Sequence, residues 1–153
     1  MKKLIKVIGC LILPLLVGGF SSFLTRSNIK DWYLYLNKPS FNPPSYVFGP
    51  VWTVLYLLMG ISFYLIIKKA NFNKNAVYIF FTQLTLNFFW SLIFFKWHNI
   101  YLALVEIVFL WISIVIMIYI FYKENKWAAY LNIPYLLWVS FATFLTYSIW
   151  LIN

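Results

Sequence analysis

The sequence predicts an all-α integral membrane protein, a five-helix transmembrane bundle with a long, proline-rich first loop. Three observations predict it. Hydrophobic residues make up 64% of the 153 positions and charged residues only 10%, against roughly 25% charged in soluble domains. A chain this short buries a limited share of its surface in water, so the apolar excess needs lipid around it. The charges collect in short intervals between five long apolar runs, as expected when charge is costly at the bilayer centre. Four of the six prolines fall between Lys38 and Gly60, in "KPSFNPPSYVFGPVWTVLYLLMG", just before one of those runs.

The runs predict helices over about 4–25, 47–67, 75–95, 100–122 and 128–151, within a single domain spanning 1–153. Each is about 19 to 25 residues, enough at about 1.5 Å per residue to cross a core of about 30 Å. None alternates in the manner of barrel strands, so every backbone bond is expected to close inside a helix. The first run is bounded by Lys6 and Arg26, and the second ends at Lys68 and Lys69. The third stops before Lys96, the fourth carries the single charge Glu106, and the last reaches Ile152. The start, "MKKLIKVIGCLILPLLVGGFSS", has the basic and apolar regions of a signal peptide. Its charge-free run is long and no A-x-A site follows, so an uncleaved helix is expected. Cys10 precedes the apolar stretch, against a lipoprotein box, and as the lone cysteine it allows no intrachain disulfide.

Basic residues set the expected orientation. Lys2, Lys3, Lys6, Lys68, Lys69, Lys74, Lys123 and Lys126 fall on one side, twice as many as Arg26, Lys30, Lys38 and Lys96 on the other. A multi-pass protein of a bacterial-type plasma membrane is expected, with the N-terminus cytoplasmic, and the first loop and C-terminus outside. The net charge of +9 then reflects topology and anionic lipid, and no nucleic-acid module is present.

One histidine, one cysteine and three acids are too few for a metal centre or a hydrolytic triad, and no phosphate-binding glycine loop occurs. No cofactor is expected. The abundant resource is aromatic. Trp32, Trp97, Trp127 and Trp150 suit interfacial belts, whereas Trp52, Trp90, Trp111 and Trp138 lie within helices, where an indole N–H needs a partner or a polar cavity. Gln83, Asn87 and Trp90 form one stripe on the third helix, and amides are expensive toward lipid, so that stripe should face the bundle. Tyr135, Trp138, Ala142, Leu145 and Ile149 share a face of the fifth, and Trp52, Tyr56 and Met59 one of the second. Such stripes suit packing as well as a pocket. Glu106 is expected to face the bundle and pair with an indole N–H or Lys96. Gly18 and Ser22, four apart, would let another helix approach closely. Pro39, Pro43 and Pro44 hold their segment extended, as a stiff lid or a tight connector, and Pro50 suits a first helical turn.

The "P.F.PP..VFGPVWT.LY.LMG" pattern resembles the TspO/MBR family, also known as translocator proteins, tryptophan-rich sensory proteins or peripheral-type benzodiazepine receptors. "LNFFWSLIFF", "LALVEIVFL" and "PYLLWVSFATFL" resemble its third, fourth and fifth helices, in order along nearly the whole chain. The resemblance implies a homodimeric five-helix bundle with a ligand cavity under the first loop, lined by Tyr33, Pro43, Trp52, Asn87, Trp90, Trp138, Ala142 and Leu145. It implies porphyrin-type tetrapyrroles as ligands, with isoquinoline carboxamides or sterols as further candidates. Arg26, Lys30 or Lys38 at the mouth would meet porphyrin propionates. Two functions are then open beside a plain scaffold and a sterol or lipid transporter: a tetrapyrrole sensor or carrier, and a light-dependent protoporphyrin-degrading enzyme with Trp52 and Trp138 as its reactive indoles. The segment "LTYSIWLIN" has no Lys or Arg after Tyr147, so the sterol-recognition pattern of some members is not expected there, and a loose match at Leu58, Tyr64 and Lys68 carries little weight.

Overall fold

The computed structural model describes residues 1–153. Its elements are α1 (Lys2–Asp31), a short 3-10 turn (Tyr33–Tyr35), α2 (Ser45–Ile67), α3 (Lys74–Ser91), α4 (Ile100–Glu124), α5 (Lys126–Tyr130) and α6 (Ile133–Ile152). Five spans are long and apolar enough to cross a membrane, the fifth being α5 and α6 together. The spans form a closed ring: α1 packs on α2 and α3, α3 on α4, α4 on α6, and α5 returns to α2. Large apolar side chains such as Leu16, Phe20, Phe109, Leu137 and Phe144 point outward, where lipid accepts them.

Several helix ends differ from the expected ones, each for a local reason. α1 runs six residues past Thr25 because Arg26 and Lys30 mark a membrane boundary without breaking a helix. Its 30 residues measure about 45 Å, more than the roughly 30 Å core, so the last turns stand clear of hydrocarbon. α2 starts earlier than predicted, directly after Pro44, which places Pro50 more than a turn inside instead of in the opening turn. α3 does not simply stop. Its end widens into π geometry over Leu92–Lys96, with Trp97 N–H donating to Leu92 O at 2.9 Å. The wider turn lets the consecutive side chains Leu92, Ile93 and Phe94 all be buried. His98 then takes a left-handed backbone, φ 55°, while its ring stacks on Trp32 at 4.3 Å and meets Asn28 at 3.2 Å. The fifth span is broken at Leu131 and Asn132 because Pro134, in the first turn of α6, has no N–H to carry the helix through.

Two apolar clusters hold the bundle. The larger, away from the 32–44 connection, includes Met59, Ile66, Phe80, Ile114, Met117 and Phe121, all with no exposed surface. Within it Phe63 and Phe80 stack at 4.0 Å. The smaller cluster joins Tyr33, Ile93, Phe94, Ala103, Leu145 and Ile149 at the other end. The 32–44 connection is tied down on three sides. Phe41 stacks on Phe144 at 5.3 Å, Asn153 donates to Asn37 O at 2.8 Å and accepts from Asn37 N–H at 3.1 Å, and Lys38 Nζ donates to the carbonyls of Tyr33, Leu34 and Leu36 at 2.9, 3.3 and 3.2 Å.

Glycines bring α1 and α2 together. A Cβ on Gly60 would lie 2.5 Å from Cys10 O and 2.8 Å from Leu11 Cα, both backbone atoms. A Cβ on Gly18 would lie 2.2 Å from the Tyr56 ring. Gly18 therefore serves packing of α1 against Tyr56 of α2 within the chain. Gly60→Ala should cost about 1 to 3 kcal/mol through forced separation of two backbones, read as an earlier thermal transition in detergent. Gly19→Ala, which meets nothing within 4 Å, should leave that transition in place.

Glu106 departs from its expected pairing. Both carboxyl oxygens are buried and neither meets an indole N–H, Lys96 or any other protein group; the ion pair that does form is Lys69 with Glu124. A buried carboxyl without a partner opposes folding. Glu106→Gln, near-isosteric and uncharged, should hold or raise the thermal transition measured at pH 8, and a clear drop would reveal a partner for the carboxylate.

Candidate functional site

A cavity of about 450 Å³ lies between the two clusters, with walls from α1, α2, α3, α4 and α6. Of the residues expected to line a site, Tyr33, Trp52, Asn87, Trp90, Trp138, Ala142 and Leu145 all contribute to its wall. Pro43 does not. It sits in the extended part of the connection, where its carbonyl accepts from Asn42 Nδ2 at 3.1 Å, and Tyr33 and Phe48 occupy the wall on that side. The lining residues that remain exposed, among them Gly19, Ser22, Gly49 and Thr53, belong to α1 and α2. The opening therefore lies between those two helices, under the connection.

The wall is aromatic by construction. Trp52 stacks on Tyr56 at 5.4 Å and meets the edge of Tyr135 at 6.3 Å. Trp138 packs against Phe48 at 5.9 Å and Phe141 at 5.5 Å, and Trp90 stacks on Phe94 at 5.2 Å. Ala142, a turn beyond Trp138 on α6, leaves open volume where a larger side chain would stand. Trp111 lies outside the cavity and instead donates its indole N–H to Ser140 Oγ at 2.8 Å.

A buried polar relay forms the floor. Tyr56 O–H donates to Asn87 Oδ1 at 2.8 Å, Asn87 Nδ2 donates to Tyr135 Oη at 2.8 Å, and Tyr135 O–H donates to Gln83 Oε1 at 2.7 Å. Gln83 Nε2 reaches Met59 Sδ at 3.9 Å. The amide stripe on α3 does face inward, but its polar atoms bond to two phenols. Periodicity puts Tyr56 and Tyr135 on aromatic faces of their helices but does not name them as the partners of Gln83 and Asn87. At the connection, Tyr33 O–H donates to Asn42 Oδ1 at 3.1 Å, and burial raises the Tyr33 phenol above its ordinary pKa.

No lining residue carries a charge. Lys38, expected at the mouth, is engaged with three carbonyls and with the Tyr33 ring at 4.8 Å. Arg26 rests over Phe23 at 4.9 Å, and Lys30 is exposed in the last turn of α1. An apolar, ring-lined cavity of this volume is of the kind that holds a flat organic molecule by stacking.

Residues 10–151 match the model of the TspO/MBR family. The chain is 39% identical over 152 residues to the tryptophan-rich protein TspO of Archaeoglobus fulgidus, covering 99% of both chains. It is 38% identical over 123 residues to the translocator protein of Homo sapiens, covering 78% of this chain and 73% of the human one. It is 32% identical over 123 residues to the tryptophan-rich sensory protein of Cereibacter sphaeroides, covering 80% and 77%. With a five-span helical bundle around an aromatic cavity, this chain belongs to the TspO/MBR family of multi-pass membrane proteins.

Proposed function

We propose that this protein is a membrane receptor or carrier for porphyrin-type tetrapyrroles and related flat apolar ligands, serving tetrapyrrole or stress sensing. The observation that carries the reading is the uncharged cavity with Trp52, Trp90 and Trp138 in its wall. Stacking on indoles favours a planar, delocalised ligand. A volume of about 450 Å³ lies in the lower half of the range of roughly 300 to 1,000 Å³ for small-molecule sites. A macrocycle would therefore enter edge first between α1 and α2, keeping its propionates outside near Arg26 and Lys30. The indoles also suit a second reading, light-dependent degradation of protoporphyrin, since indole is far more readily oxidised than phenyl.

Binding of protoporphyrin IX in detergent tests the first reading. Trp52→Ala or Trp138→Ala should weaken it by about 1 to 3 kcal/mol, while Phe at either position should retain most of the affinity. Unchanged affinity in both folded Ala variants would remove the cavity from consideration. Aerobic illumination separates the second reading: loss of a bilin-like product in the Phe variants despite retained binding would favour an enzyme over a carrier.

The proposed orientation places the 32–44 connection outside, on the side with fewer basic residues. Ser40 and Asn71 are exposed in connections at opposite ends of the bundle, and the single native thiol, Cys10, is buried. In intact cells an impermeant thiol reagent should label Ser40→Cys and spare Asn71→Cys. The reverse pattern would invert the topology.

A further inference from the structure

A groove of about 460 Å³ runs along the outside of the bundle between α1 and α3, from Leu13 and Phe81 to Phe20 and Phe88. It shares no residue with the cavity, which takes the other face of α1. Its lining pairs off at one constant interval in the numbering: Leu16 with Leu84, Val17 with Thr85, and Phe20 with Phe88, whose rings stack at 5.8 Å and close that end. One span separates α1 from α3, so the two run in the same direction, and a constant interval then means equal depth. The same interval joins Lys6 to Lys74. Each lies about two turns before the first groove residue of its helix, on the same face. Both lysines are exposed and neither pairs within the protein. The one acid at that end of the bundle, Glu124, is held by Lys69.

We infer that this groove is a binding site for one anionic phospholipid of the leaflet on the N-terminal side, with an acyl chain between α1 and α3 and the phosphate between Lys6 and Lys74. Length supports it. Lys6 and Phe20 are about 21 Å apart along the helix, and one leaflet with its headgroups is about 20 to 22 Å thick. The lysines therefore stand at headgroup level and the Phe20–Phe88 stack near the midplane, where a tail ends. Helical side chains lean toward the N-terminus, so both ammonium groups reach away from the groove into the headgroup layer. Charge supports it as well. Lys74 opens α3, where the helix dipole disfavours a cation, so this lysine does nothing for its own helix. A basic pair at the mouth of an inter-helix groove draws an anionic headgroup. A second copy of the chain fits this face less well. Two copies in one membrane share orientation, so their Lys6 and Lys74 would meet at one depth, four cations with no acid among them.

The test offers the detergent-solubilised protein an equal mixture of phosphatidylglycerol and phosphatidylcholine and counts retained lipids by native mass spectrometry. One phosphatidylglycerol should be retained, on the order of tenfold in preference to phosphatidylcholine, the scale of two lysines near a lipid phosphate. Lys6→Gln with Lys74→Gln should abolish that preference. Lys68→Gln with Lys123→Gln, equal in charge but on α2 and α4, should keep it. Thr85→Trp, which fills the groove from an exposed position, should lower retention of both lipids. If Thr85→Trp does not fold, the two lysine pairs decide alone. Equal retention of the two lipids, or equal loss of preference in both lysine pairs, would overturn the site and leave only diffuse attraction to the basic end. So would efficient disulfide crosslinking of Thr85→Cys to itself in membranes, which would place a second copy on the groove.

Discussion

The hydrogen-bonded relay Tyr56–Asn87–Tyr135–Gln83 is the constraint on which the interior depends. It joins α2, α3 and α6 in the middle of the bundle, at buried atoms. In lipid no hydrophobic force presses one helix on another, so close packing and a few inter-helix polar bonds set the register of the helices. The relay supplies such bonds between three spans at once. Each bond is modest, about 0.6 kcal/mol on average for such pairs, but an unpaired amide or phenol there would be far more expensive. Once the three helices are locked at this depth, the space above the relay cannot be closed by sliding one past another.

That space becomes a cavity because the apolar packing on either side is separate. The cluster around Met59, Phe80 and Met117 closes the bundle below the relay, and the cluster around Tyr33, Phe94 and Ile149 closes it under the 32–44 connection. Trp90 packs against both. Gly18 and Gly60 let α1 and α2 touch around and below the relay, while farther along Gly19, Ser22, Gly49 and Thr53 leave the same two helices with a small-residue margin. The doorway and the tight seam are thus parts of one helix pair. The wall carries no charge, and the cations of the last turns of α1 stand outside it.

The connection owes its position to groups of low individual strength acting at several points. Lys38 gathers three carbonyls, Asn153 pairs both backbone groups of Asn37, and Phe41 stacks on α6. Prolines stiffen the strap but do not themselves reach the cavity. Tyr33 does, and its hydroxyl is held by Asn42, so the extended segment positions a wall residue through a side-chain bond.

Much of this molecule was legible in one dimension. Charge spacing alone marks five spans, because an ionised group in hydrocarbon is penalised wherever it stands in the fold. Motif order points to the family, and helical periodicity turns Gln83, Asn87 and Trp90 inward, since amides toward lipid are costly. Seven of the eight residues expected at a site stand together in one wall. Other features needed neighbours that periodicity cannot name. The phenols that bond the amides, the unpartnered hydroxyl of Ser21 and indole N–H of Trp90, the unpaired carboxyl of Glu106 and the place of Pro43 outside the wall all depend on which helices meet at which depth. So do the helix ends: a charge shows where lipid stops, but a helix stops only where its backbone bonds do. Inter-helix register is the sum of many contacts between residues far apart in the chain, and no local stretch encodes it.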